Sequence, residues 1–219
     1  MSELLLNQFE QDRALSALRY KNLNIRKLFG KSVFIAGDGE LAFSLISSLL
    51  MVNSKKQAGM AVFLLVDDNE KYDRRFDFIN SSDFLIVKYS SLDSISKSGD
   101  ILIETGFLLS DNVESVDVFK NHINRAKNII STIKALKIKE TVILSNASVY
   151  GKLEKDLVIS EKEKTHSDFS SASLKAMLIQ SVENLYFSAS HMYGFSVKVV
   201  RCGKIISANS NSEFIKNML

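Results

Sequence analysis

The 219 residues are 46% apolar and 24% charged, with a formal charge of +3, the composition of an ordered globular chain long enough for one sizeable core or a domain with an appendage. No basic stripe with interleaved aromatics runs along it, which sets nucleic acid aside as a partner, and no window reaches the ~18 apolar residues of a membrane span. The opening "MSELLL" has acid early and no small-residue cleavage pattern, so no secretory signal is expected. Together with a single cysteine, Cys202, read as a buried inert thiol, this points to a cytoplasmic, reducing setting.

Leu4, Leu5, Leu6, Phe9, Leu15, Leu18 and Leu28 recur at roughly helical spacing, which predicts an N-terminal helical extension over residues 1–29 packed on the outside of the domain after it. Gly30 ends it, and "SVFIAG" is a short buried strand. Residues 41–52 are a helix, "NSKKQAG" a polar loop, and "MAVFLLVDD" a second apolar strand closed by two aspartates. "DFLIVKYS" and "DILIETG" are strands, and 116–136 is a long helix with apolar positions at Val118, Ile123, Ile129, Ile130 and Ile133. "ETVILSNAS", a helix over 171–192 and the strand "FSVKVVRCG" complete the series. Continuous Val/Ile/Leu strands alternating with helices predict a doubly wound α/β domain over 30–219, a parallel sheet with helices on both faces. His122, His166 and His191 lie far apart and no Cys/His/Asp spacing suggests a metal.

In such a sheet ligands sit beyond the carboxyl ends of the strands. Gly37-Asp38-Gly39-Glu40-Leu41-Ala42 lies at the first of these ends. Gly37 would permit a tight turn, Gly39 would let the backbone approach a pyrophosphate, and Ala42 would allow close helix–strand packing. Asp67 or Asp68, at the end of the second strand, would accept hydrogen bonds from a ribose and repel a 2′-phosphate, favouring NAD over NADP.

At "TVILSNASVYG", and again at "VENLYFSASHMYGFSVKVVR", the chain resembles the extended short-chain dehydrogenase/reductases, in particular the NAD-dependent nucleotide-sugar epimerases and dehydratases. "DILIETG" resembles that family's fourth strand, which adds Thr105 and Gly106 to the cofactor-binding candidates, and "NHINRAKNIISTIKALKIK" resembles its Asn-containing helix. The resemblance spans residues 30 to 206 and implies a Rossmann-like fold, bound NAD, a nucleotide-sugar substrate, a role in surface-polysaccharide synthesis and a homodimer through helices 116–136 and 171–192. Enzymes of this kind oxidise a sugar hydroxyl with a tyrosine that precedes a lysine by four, one helical turn. None of the six tyrosines here has a lysine four residues on. Anchoring on Glu183-Asn184-Leu185 puts Lys175 at the tyrosine position and Ile179 at the lysine position; a gapped register keeps Lys175 as the lysine with Ser171 as its partner. Counting back from Val149, the hydroxyl-positioning residue becomes Asn146, with Ser145 beside it. The candidate catalytic residues are therefore Lys175, Asn146 and Ser145. The family's smaller sugar-binding domain, which would come after "VVR", is expected to be absent. The leading expectation is a pseudoenzyme that keeps the NAD site and acts through a partner. The alternative is an active epimerase or dehydratase with rebuilt or partner-supplied catalytic residues.

Overall fold

In a computed structural model of the chain, residues 25–37, 39–67, 74–95, 98–106, 116–150, 160 and 174–203 are described. They form six strands: β1 (Ser32–Ala36), β2 (Ala61–Val66), β3 (Phe84–Lys88), β4 (Ile101–Glu104), β5 (Glu140–Asn146) and β6 (Ser196–Cys202). Three helices accompany them: α1 (Glu40–Lys56), α2 (Val116–Ala135) and α3 (Leu174–Tyr193). All neighbouring strands are parallel, in the order β3-β2-β1-β4-β5-β6. The fold is the doubly wound α/β arrangement, and its order reverses between β1 and β4, which makes the carboxyl end of β1 the switch point.

Alternation along β1 builds the two layers. Val33 and Ile35 join Phe43, Ile46, Leu49 and Leu50 of α1, with Val62 and Leu64 of β2, in one apolar cluster. Phe34 and Ala36 face the other way, onto Ile129 and Ile133 of α2 and Leu178, Ile179 and Val182 of α3. Each such fully buried aliphatic or aromatic side chain contributes about 1.5–3 kcal/mol relative to exposure. Phe34 also stacks on Phe63 of the neighbouring strand, ring centroids 4.5 Å apart. The outer strands are thinner in cover: Leu85 on β3 is 53% exposed and Val200 on β6 45%, so the sheet is fully sandwiched only in its middle.

The polar stretch "NSKKQAG", expected as a loop, begins as helix, because α1 runs on to Lys56. Asn53 explains the difference. Its buried amide donates to Met60 O at 2.6 Å and accepts from Met60 N at 2.9 Å, tying the helix end to the chain entering β2. The reversal itself falls on Gln57 and Gly59, both in the left-handed region. Of the expected N-terminal helical extension, residues 1–24 lie outside the described residues, and Ile25–Leu28 is a short 3-10 turn whose Ile25 and Leu28 pack on the α1 side of the core. Ser171 lies outside the described residues too.

Candidate functional site

The carboxyl end of β1 is built for close backbone contact. Gly37 follows Ala36 with φ +128°, a conformation that side chains resist. A Cβ there would collide with Thr105 Oγ1 and lie 2.8 Å from Gly106 N. Thr105 is fixed in turn, donating to Ala36 O through its N–H at 2.8 Å and through Oγ1 at 3.1 Å. Gly39 is different. It caps α1 in extended conformation (φ −86°, ψ −173°) with no side-chain cap, and among the described residues a Cβ on it would meet nothing within 4 Å. The first turn of α1 thus presents backbone N–H groups beside a residue without a side chain, the arrangement that receives phosphate. Leu41 is half-buried in that turn, and Ala42 is fully buried against the core. Asp38 lies outside the described residues.

Ala36 pairs with Leu65, so Asp67, half-buried two residues beyond, comes level with the cradle. Asp68 lies outside the described residues. The chain then returns to the start of α1 through the 3-10 turn Arg74–Phe78. There Arg75 Nη1 donates to Glu40 Oε2 at 2.7 Å, and its guanidinium lies 4.6 Å from the centre of the Phe43 ring.

The other flank of the cradle is the end of β4. Glu104 is 2% exposed at its side chain and ion-paired with Arg125 of α2, Nε to Oε1 at 3.4 Å. The same oxygen accepts from Gly106 N at 2.9 Å, and a Cβ on Gly106 would run into the Arg125 guanidinium. Thr105 and Gly106 are therefore wedged between Gly37 and Arg125. Within reach of the Glu104 and Arg125 charges, Tyr186 of α3 is wholly buried, and its hydroxyl makes no hydrogen bond among the described residues. Burial, followed by the Glu104 charge, pushes its phenol well above the ordinary tyrosine range. One turn before Arg125, burial and then the Arg125 charge hold the His122 imidazole below its usual value.

The three candidate catalytic residues are divided by the fold. Ser145, on β5, is fully buried and donates to Glu183 Oε1 of α3 at 2.5 Å. Glu183 is also gripped by Arg201 of β6, Nη2 to Oε2 at 2.7 Å and Nε to both oxygens at 3.2 and 3.3 Å. Arg201 Nη1 reaches Tyr150 OH at 3.0 Å; the hydrogen bond with Glu183 is the main reason its guanidinium is held above the ordinary range. Asn146 ends β5, and its Oδ1 accepts from Ser148 N at 2.8 Å, closing the turn Ala147–Tyr150. Lys175 stands half-buried in the first turn of α3. Among the described residues there is no group of three potential metal ligands. From the sequence, no site role fell to Arg75, Glu104 or Arg125, and Glu183 and Arg201 entered only as parts of the string "VENLYFSASHMYGFSVKVVR". For Glu104 the signal on offer was a glutamate closing the apolar run "ILIE".

No protein-family model matches the chain, and no curated protein matches it. Solved structures do. It is similar to the WbmH enzyme of Bordetella bronchiseptica in complex with NAD+, at 14% identity and a TM-score of 0.63, covering 86% of this chain and 62% of that one. It is similar to the UDP-N-acetylglucosamine 4-epimerase of Methanobrevibacter ruminantium with UDP-N-acetylmuramic acid, at 20% identity and a TM-score of 0.60 over 83% and 58%. A third is the UDP-glucuronic acid 4-epimerase of Bacillus cereus with NAD, at 17% identity and 0.59 over 79% and 56%. The chain spans about three fifths of the length of these structures. At such identities the likeness establishes the fold: a Rossmann-like α/β protein of the architecture used by nucleotide-sugar epimerases. No helix among the described residues is long and apolar enough to cross a membrane.

Proposed function

We propose that this chain binds NAD in the cradle between β1 and α1, and that it is a catalytically degenerate relative of the nucleotide-sugar epimerases and dehydratases, acting through a partner. The observation that carries the cofactor is the contrast between the two glycines: Gly37 has no room for a Cβ, whereas a Cβ on Gly39 would meet nothing within 4 Å among the described residues, at a helix start with no side-chain cap. The N–H groups of Glu40 and Leu41 would meet the pyrophosphate, and Asp67 would accept from the ribose hydroxyls, favouring NAD over NADP. NAD, when bound, supplies a hydride acceptor. A hydroxyl to be oxidised would also need a base, and here the residues support binding rather than turnover. Ser145 is committed to Glu183, Asn146 Oδ1 to Ser148 N, and no tyrosine precedes a lysine by four.

The half-buried place of Lys175 in the first turn of α3 supports a second reading: an active nucleotide-sugar epimerase or dehydratase of surface-polysaccharide synthesis with rebuilt or partner-supplied catalytic residues. The proposal extends to a homodimer in the cytoplasm. For the dimer, α3 offers the more apolar outer face, with Phe187, Met192 and Tyr193 exposed; the exposed positions of α2 include Lys120, Asn124, Lys127 and Lys134.

Titration calorimetry with NAD, NADH and NADP, with Gly39→Glu as control, tests the cradle. Extended backbone accepts any side chain, so the variant folds and places a carboxylate where the phosphates bind. Saturable NAD binding lost in the variant is expected; a folded wild type that takes up no dinucleotide overturns the proposal. NADH formation on a sugar nucleotide, lost in Lys175→Ala, would favour the second reading.

A further inference from the structure

The start of α1 carries a negative side chain at the place proposed for phosphate, and the fold answers it with a cation from another element. Glu40 sits in the first turn. A carboxylate there suits the helix dipole, yet it repels any phosphate drawn to the same N–H groups. Arg75 arrives from 35 residues further on, out of the turn that follows β2. Its contacts among the described residues include the 2.7 Å ion pair with Glu40 and a position over Phe43. The Phe43 ring is itself held edge-on by Phe76, the residue after Arg75, at 5.6 Å. With its side chain only 16% exposed, the guanidinium is packed in place rather than trailing in solvent.

The end of β2 and the start of α1 border the adenosine half of a dinucleotide in a doubly wound sheet. A guanidinium in that position is the natural donor to a ribose 2′-phosphate, because its planar fork matches phosphate oxygens. Here Nη1 of the fork donates to Glu40 Oε2. We propose that the Glu40–Arg75 pair determines cofactor specificity in this chain. Glu40 withholds Arg75 from a 2′-phosphate, and Arg75 neutralises Glu40 so that the pyrophosphate is tolerated beside it. The inference rests on the dinucleotide reading of the cradle.

The two partners make opposite demands, which allows a sharp test. Glu40→Gln removes the charge that engages the guanidinium, so affinity for NADP rises relative to NAD by roughly two- to fivefold, the factor carried by one partly exposed charge pair. Arg75→Gln leaves the carboxylate uncompensated, so NAD and NADP both weaken by about the same factor. Arg75→Lys keeps the positive charge and restores NAD binding toward wild type. Each protein is titrated calorimetrically with NAD and with NADP, after circular-dichroism melts establish that it is folded. A changed NADP-to-NAD ratio in Glu40→Gln with joint weakening in Arg75→Gln bears the inference out. Wild-type binding of NAD with a ratio unmoved in Glu40→Gln overturns it and leaves the cradle standing. A wild type that binds neither dinucleotide overturns the cradle, and this inference falls with it.

Discussion

Glu183 is a carboxylate with 2% of its side chain exposed, and everything around it answers that charge. Burying an ion without compensation costs several kcal/mol; here the compensation is a forked Arg201 and the Ser145 hydroxyl. The arrangement ties α3, β5 and β6 together at one point. Arg201→Met would leave the carboxylate with Ser145 alone, and a loss of about 3–5 kcal/mol is expected. Urea unfolding of the variant measures it, and a loss under about 1 kcal/mol would mean the pair carries little. This also explains why Ser145 was ambiguous in the sequence. A serine at the end of an apolar strand reads the same whether its hydroxyl meets a substrate or a buried acid. Only the packing of α3 on β5 reveals that Glu183 takes it, and nothing in the string "VENL" says that its glutamate points inward.

At the level of elements, the strands and helices were legible because apolar runs and helical spacing are local signals, whereas the ends of elements depended on side chains reaching across the chain. Asn53, holding Met60, extended α1 through a stretch rich in polar residues. The start of β1 is held in the same manner. Asp100, just before β4, accepts from Ser32 N at 3.0 Å and from Lys31 Nζ at 3.1 Å, and the Ser32 hydrogen bond is the main cause of its lowered pKa. A carboxyl whose folded pKa lies below its unfolded value stabilises above the unfolded value and loses that contribution as pH falls through the folded one. Asp100→Asn is therefore expected to cost about 1 kcal/mol near neutral pH. The difference should shrink as pH falls through the ordinary carboxylate value of 3.8 and below. Thermal melts of both proteins across that range check it, and a difference constant with pH would assign the effect to shape rather than charge.

For the whole molecule, the sheet order and the cradle converge on one place. The reversal between β1 and β4 brings Gly37 against Thr105 and Gly106, far apart along the chain, and the glycine spacing marked that place in the sequence before any contact was visible. The cations around it were not marked. Arg75 and Arg125 lie in mixed-charge stretches where any lysine or arginine reads as a solvated surface residue, and only the return of the chain to the sheet's carboxyl edge makes them neighbours of the cradle. A ligand bound as proposed would border α1, the end of β2 and the residues after β4, so its binding energy would be felt by the fold as a unit. At a hundred times its dissociation constant such a ligand adds about 2.7 kcal/mol of stability, which for a chain of this size raises the melting temperature by roughly 5–10 °C. The expected outcome is a rise of this size with NAD, absent in Gly39→Glu, where the carboxylate occupies the phosphate position while the unliganded melting temperature stays near wild type. An equal rise in both proteins would place the bound dinucleotide away from the start of α1. The two glycines would then serve the turn between β1 and α1 and nothing more.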